Sequence, residues 1–148
     1  MSELYELFLE HPVVSTDTRR IVPGSVFFAL RGATFDGNRF VAEALARGAA
    51  FAVADDPAAA GGDPRIRFVP DTLQALQALA REHRRALGIP ILAISGSNGK
   101  TTTKELVSRV LAERFEVYAT RGNLNNHIGV PLTLLAMTRD TRFGVVEM

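Results

Sequence analysis

Apolar positions in the first half of the chain switch between a helical and a strand period. Leu4, Leu7 and Phe8 share one side of a helix over residues 2–10, and Pro12 ends it by biasing His11 away from helical backbone angles. An apolar run over 26–30, introduced by Pro23-Gly24 and closed by Arg31-Gly32, predicts a strand. After the turn at Asp36-Gly37-Asn38, the residues Phe40, Val41, Ala44 and Leu45 return to helical spacing up to Gly48, and 50–54 reads as a buried strand. Residues 55–64 hold two prolines, two glycines and three alanines, which predicts a loop with little to pack. A short strand over 66–69 follows. Asp71 then caps a helix with Gln74 at its third position, and Leu73, Leu76, Leu79, Ala80, His83 and Leu87 lie on one broad face before Gly88 closes it.

Beyond Gly88-Ile89-Pro90 the pattern restarts with a strongly apolar strand over 91–94. A glycine turn leads into a helix ending near residue 112, with Leu106, Val107, Val110 and Leu111 as its apolar stripe. Strands over 116–119 and 142–146 flank a helix over 131–137 that has proline in its first turn. Alternating strands and helices give an α/β fold with parallel sheets. The expected division is a small N-terminal α/β domain over 1–88 and the start of a P-loop parallel α/β domain over 89–148. His11 and His83 read as structural, His83 packing on its helix stripe or meeting a carboxylate.

Composition narrows the chemistry. Of 148 residues, 47% are hydrophobic and 22% charged, which suits a soluble globular chain. Seventeen Lys and Arg against 16 Asp and Glu leave a net charge of +1 and no reason to expect nucleic acid or a membrane surface as partner. The absence of cysteine excludes disulfides, thiolate metal sites and a cysteine nucleophile. No segment approaches the ~20 apolar residues that span a bilayer. Glu3, Glu6 and Glu10 carry the wrong sign for a secretory signal, so the cytoplasm is the expected compartment.

Ser95-Gly96-Ser97-Asn98-Gly99-Lys100-Thr101-Thr102-Thr103 is the sharpest local signal. Amides around Gly99 can turn onto an anion, Lys100 adds a point charge for terminal phosphates, and the Thr101 hydroxyl can complete a magnesium shell. The full Walker A spacing would place glycine where Ile94 stands, yet the strand-loop-helix context is the one that P-loop chemistry requires. Glu147, at the end of the last strand, belongs at the carboxyl edge of the sheet, where ligands gather, and can face that magnesium. Between Gly122 and Pro131, Asn123, Asn125, Asn126 and His127 form a dense set of donors before a helix, suited to diphosphate, sugar or acyl oxygens; turn formation is the other use of such asparagines. In the first half, Ser15-Thr16-Asp17-Thr18-Arg19 and the segment 32–38 flank a strand. Arg19 can read a phosphate and the hydroxyls a base or sugar edge, with turn and cap chemistry as the alternative.

Taken together, Gly96-Ser-Asn-Gly-Lys-Thr-Thr-Thr-Lys-Glu105, Thr120-Arg-Gly-Asn-Leu-Asn-Asn-His-Ile-Gly-Val-Pro131 and Val145-Val-Glu-Met148 resemble the Mur ligase family. The run Ser15 to Arg19, Pro23-Gly-Ser-Val-Phe-Phe-Ala-Leu-Arg-Gly32 and Asp36-Gly-Asn-Arg-Phe40 are similar to its uridine-nucleotide-binding domain. The resemblance is strongest to the branch that joins D-alanyl-D-alanine to UDP-N-acetylmuramoyl-tripeptide with ATP and Mg2+, through an acyl phosphate, in peptidoglycan precursor synthesis. It implies ATP contacts from Gly96, Ser97, Asn98, Gly99, Lys100, Thr101 and Thr102, and magnesium on Thr101 and Glu147. It further implies catalytic roles for Lys100, Asn126 and His127, and substrate contacts from Ser15, Thr16, Asp17, Thr18, Arg19, Asn38, Asn123 and Asn125. Asn38 stands where many relatives carry histidine. The family's enzymes have three domains, so the resemblance implies a monomeric ligase of which this is the N-terminal part, inactive alone. The alternatives are a family member that adds the third amino acid and a P-loop module without ligase activity.

Overall fold

Two wholly parallel sheets organise the chain, in accord with its alternation of strand and helix. The structure is a computed structural model that describes residues 1–148 apart from the side chain of residue 60. It divides into units Met1–Leu79 and Ala80–Met148.

In the first unit, α1 (Glu3–Glu10) starts at Ser2, whose hydroxyl accepts from the Tyr5 amide. The sheet runs in the order β1 (Val14–Ser15), β2 (Val26–Phe28), β3 (Phe51–Ala54) and β4 (Ile66–Phe68). A 3-10 turn over Gly37–Phe40 leads into α2 (Val41–Ala46). Phe27, Ala29, Ala52 and Ala54 pack with Val41, Ala44 and Leu45 of this helix. Val26, Phe28 and Val53 alternate with them and are also buried, so both faces of the sheet are covered, as a parallel sheet requires. Residues 55–64 do not form the expected bare loop: Asp56 caps the single turn α3 (Pro57–Ala60), with Pro57 at its first position. The two-residue edge strand β1 has no periodicity of its own and is held by pairing Val14 to Val26 and Ser15 to Phe27.

Helix α4 (Thr72–Leu87) runs through the division between the units. Asp71 accepts from the Gln74 amide at 2.8 Å, as its expected cap role requires. In the second unit His83 is buried, with Nε2 donating to the Met137 carbonyl at 2.8 Å; burial pushes its pKa down.

The second sheet has the order β5 (Ile91–Ile94), β7 (Phe143–Glu147), β6 (Val117–Ala119). Between β5 and β6 runs α5 (Lys100–Ala112), and α6 (Gly129–Leu135) precedes β7. Inserting β7 between β5 and β6 creates the break in strand order at whose carboxyl edge α/β proteins bind ligands. Register places Glu147 beside Ile94 there. The inward face of α5 differs from the expected stripe. Leu106 and Val110 are 60% and 73% exposed, while Lys104 is 3% exposed and shares the inward face with the part-buried Val107, Ser108 and Leu111. Helix α6 begins two residues earlier than the proline suggested, because the Asn126 side chain accepts from the Ile128 and Gly129 amides at 3.0 and 2.8 Å. Among the described residues no helix is long and apolar enough to cross a membrane.

Candidate functional site

The sequence stops being strand after Ile94 because Gly96 and Gly99 permit a reversal that most residues resist. Gly99 has a φ of 74°, in the left-handed region, and starts α5 with no capping side chain. The Thr103 amide closes the first helical bond, onto the Gly99 carbonyl at 2.9 Å. No side chain therefore caps the amides that begin the helix, and the positive end of the helix dipole lies with them. Ser97, Asn98, Gly99, Lys100, Thr101, Thr102 and Glu147 line one cavity of about 260 Å³. Lys100 has no hydrogen-bond or ion-pair partner among the described residues, so its ammonium remains available to an anion.

Glu147 is 3% exposed at the end of the central strand. Its carboxylate accepts from Asn125 Nδ2 at 3.0 Å and receives the Thr101 hydroxyl at 3.3 and 3.4 Å. No cationic side chain pairs with it among the described residues, although a buried charge ordinarily needs a counter-charge or a metal. A carboxylate and a hydroxyl beside uncapped amides are hard oxygen donors of the kind magnesium takes when phosphates and water complete its shell. An all-protein metal cage is absent, since no group of three or more His, Cys, Asp or Glu is suited to a metal among the described residues.

The asparagine run divides by role. Asn125 reaches Glu147, and the Asn126 carbonyl caps α6, while Asn123 and His127 are exposed. Gly129 fixes the return of this loop, because a Cβ there would lie 2.4 Å from the Leu124 backbone. The sequence reading did not single out two buried residues beside it. Lys104 Nζ donates to the Thr120 carbonyl at 2.8 Å, and the Thr120 hydroxyl accepts from the Glu147 amide at 2.9 Å. The signal for Lys104 was the helical period, since it precedes Val107, Ser108 and Leu111 by three, four and seven residues; Thr120, just after β6, had none.

In the first unit, a cleft of about 450 Å³ is lined by Thr16, Asp17, Thr18, Arg19, Phe27, Phe35, Gly37, Phe40 and Glu43. Phe35 and Phe40 are half-exposed there, giving flat apolar surface for a planar group. The Arg19 guanidinium clasps Asp17 through contacts of 2.7 and 2.9 Å and holds that carboxyl down at about 2. The Ser15 hydroxyl donates to the Asp17 carbonyl, so it shapes the turn. Asn38 is not on the cleft wall. Its Nδ2 donates to Asp36 and Asp55, both at 2.8 Å, and its carbonyl accepts from the Asp55 and Asp56 amides. Asp55 also accepts from Arg31 Nε and from the amide and hydroxyl of Thr72. Burial pushes the Asp55 carboxyl up, but these bonds outweigh it and hold it below the usual carboxylate range.

Comparison with known proteins agrees along both halves. Residues 12–84 match the Mur ligase family, catalytic domain, and residues 94–148 match the Mur ligase middle domain. The UDP-N-acetylmuramoyl-tripeptide--D-alanyl-D-alanine ligase of Synechocystis sp. is 48% identical over 91% of this chain and 30% of its own length. That of Bacillus subtilis is 42% identical over 97% of this chain and 32% of its own. The crystal structure of MurF ligase from Thermotoga maritima in complex with ADP superposes with a TM-score of 0.84 at 32% identity, covering 100% of this chain and 33% of that one. The chain thus spans about a third of the length of the relatives it matches. Strand order, P-loop and sequence identity lead to one assignment, and the chain belongs to the Mur ligase family.

Proposed function

We propose that this chain supplies the UDP-substrate domain (1–88) and the beginning of the ATP-binding domain (89–148) of a ligase joining D-alanyl-D-alanine to UDP-N-acetylmuramoyl-tripeptide. The observation that carries the reading is the buried Glu147 carboxylate, which lacks a cationic side chain and lies in the same cavity as Lys100 and the uncapped start of α5. The names of the Synechocystis and Bacillus subtilis relatives supply the substrates.

In this mechanism the amides at 99–102 seat the phosphates of ATP, and Lys100 stabilises charge on the phosphoryl group as it passes to the tripeptide carboxylate. Thr101 and Glu147 would hold magnesium, which neutralises phosphate charge when bound. The amine of D-alanyl-D-alanine then attacks the acyl phosphate, the amide bond forms and phosphate leaves. Asn123, Asn126 and His127 are the exposed groups of the neighbouring loop and would line the path of the acyl group, while Asn125 orients Glu147. In the first unit Phe35 and Phe40 would receive the uracil ring. Arg19 must exchange Asp17 for a phosphate or bind it jointly, and Asn38 acts by holding the turn behind the cleft. A cytoplasmic monomer belongs to the same reading.

The test is a ligation assay on the complete gene product, with ADP release and peptide formation measured together. Lys100→Met keeps the chain length but removes the charge, and it should lower turnover about 10²- to 10³-fold with little effect on the UDP-substrate KM. Parental turnover in that variant would refute the phosphate assignment. The 148-residue chain, about a third of the length of those relatives, is expected not to turn over by itself, because positioning the substrates together and excluding water takes more of the ligase.

A further inference from the structure

An inward-facing lysine is an expensive choice at a helix position whose neighbours on the same face are Val107 and Leu111, since its ammonium loses water there. Lys104 is 3% exposed, and its charge is met by the Thr120 carbonyl at 2.8 Å and by Glu105 Oε1 at 3.1 Å. Packing alone would be served by methionine or leucine. The lysine instead ties α5 to the residue that follows β6.

Thr120, itself 2% exposed, works in three directions. Its carbonyl accepts from Lys104, its amide donates to the Val145 carbonyl at 2.9 Å, and its hydroxyl accepts from the Glu147 amide at 2.9 Å. Glu147 in turn receives the hydroxyl of Thr101, one turn before Lys104 on the same helix. The hydrogen bonds close a circuit from α5 through Thr120 and Glu147 back to α5.

We propose that Lys104 is a positioning residue for the phosphate and cation site: by fixing Thr120 to α5, it places the Thr120 hydroxyl under the Glu147 amide and so sets the Glu147 carboxylate against Thr101. The inference rests on the reading of Thr101 and Glu147 as magnesium ligands. Groups one step removed from a metal commonly orient its ligands, and their loss weakens the metal rather than the fold.

The experiment uses the complete gene product with Lys104→Met, Thr120→Val and Thr120→Ser. The first readout is amide hydrogen exchange at Glu147 without nucleotide. The second is the magnesium concentration giving half-maximal ADP formation, separated from kcat at saturating magnesium. Lys104→Met and Thr120→Val should speed exchange at Glu147 and raise the magnesium requirement about tenfold or more, with kcat at saturation close to parental. Thr120→Ser, which retains the hydroxyl, should restore both. Lys104→Leu also removes the N–H donor and takes the place of the methionine variant, with the same expected outcome, if that variant does not fold. Unchanged exchange and magnesium requirement in the lysine variants would overturn the proposal, as would a fall in kcat with no change in magnesium requirement. A parental enzyme whose ADP formation ignores magnesium would instead refute the metal assignment, while exchange at Glu147 would still decide the role of Lys104.

Discussion

Each unit holds a carboxylate at the end of a strand, Asp55 largely covered and Glu147 buried, and the two are treated differently. Asp55, just after β3, accepts from Arg31, Asn38 and both polar groups of Thr72, and so joins a loop, a 3-10 turn and a helix start. Glu147, at the end of β7, has one close amide donor and one longer hydroxyl, with no cation beside it among the described residues. Asp55 has its counter-charge in the half-exposed Arg31 and acts as structure. Glu147 lacks one and has a cavity with an unpaired lysine in front of it, which is the condition of a site.

Removing Asp55 should have the largest effect. Asp55→Ala leaves the buried Asn38 and Thr72 donors short of acceptors and should cost about 3 kcal/mol, read by chemical unfolding of the first unit. A loss under about 1 kcal/mol would erase the contrast. Glu147→Gln should leave unfolding nearly unchanged but raise the magnesium requirement of the complete gene product about tenfold or more. A variant that unfolds while its magnesium requirement holds would make Glu147 structural as well.

Acid separates the units more gently. The His83 pKa is depressed by burial, so its contribution is whole above its ordinary value near 6.5 and falls as pH drops below that toward the lowered folded value. Asp55 is also depressed, so its contribution is present above about 4 and is lost as pH falls through its lower folded value. Amide exchange followed from pH 7 downward should show the second unit loosening first, and His83→Gln should remove that early step. The smallest effect belongs to Arg19→Ala, which breaks a pair with an arginine side chain 84% exposed and should leave the unfolding midpoint essentially where it was. Weakened UDP binding in that variant, measured by calorimetry, would mark Arg19 as a ligand contact.

Local signals carried most of what the sequence revealed. The strand over 91–94 and the helix behind the glycine turn follow from an apolar run ending in glycines, and both formed, the helix starting at Lys100. The helix cap at Asp71 is a three-residue signal and also formed. What escaped depends on partners distant in sequence. Asp55 looked like the first residue of a loop, because its partners lie 17 and 24 residues away. Lys104 drew no separate reading, because the apolar stripe was counted without charged residues; counted as one face, residues 104, 107, 108 and 111 would have placed it inward. Leu106 and Val110 misled in the opposite direction, being apolar yet largely exposed.

The most direct measurement of the central claim places a paramagnetic ion in the proposed site. With Mn2+ and ADP added to the 15N-labelled complete gene product, amide resonances of Gly99 to Thr102 and of Glu147 should broaden together in the parent. In Glu147→Gln the same broadening should need a higher Mn2+ concentration. Broadening centred away from these residues, or unchanged by Glu147→Gln, would contradict the assignment of the buried carboxylate as a metal ligand.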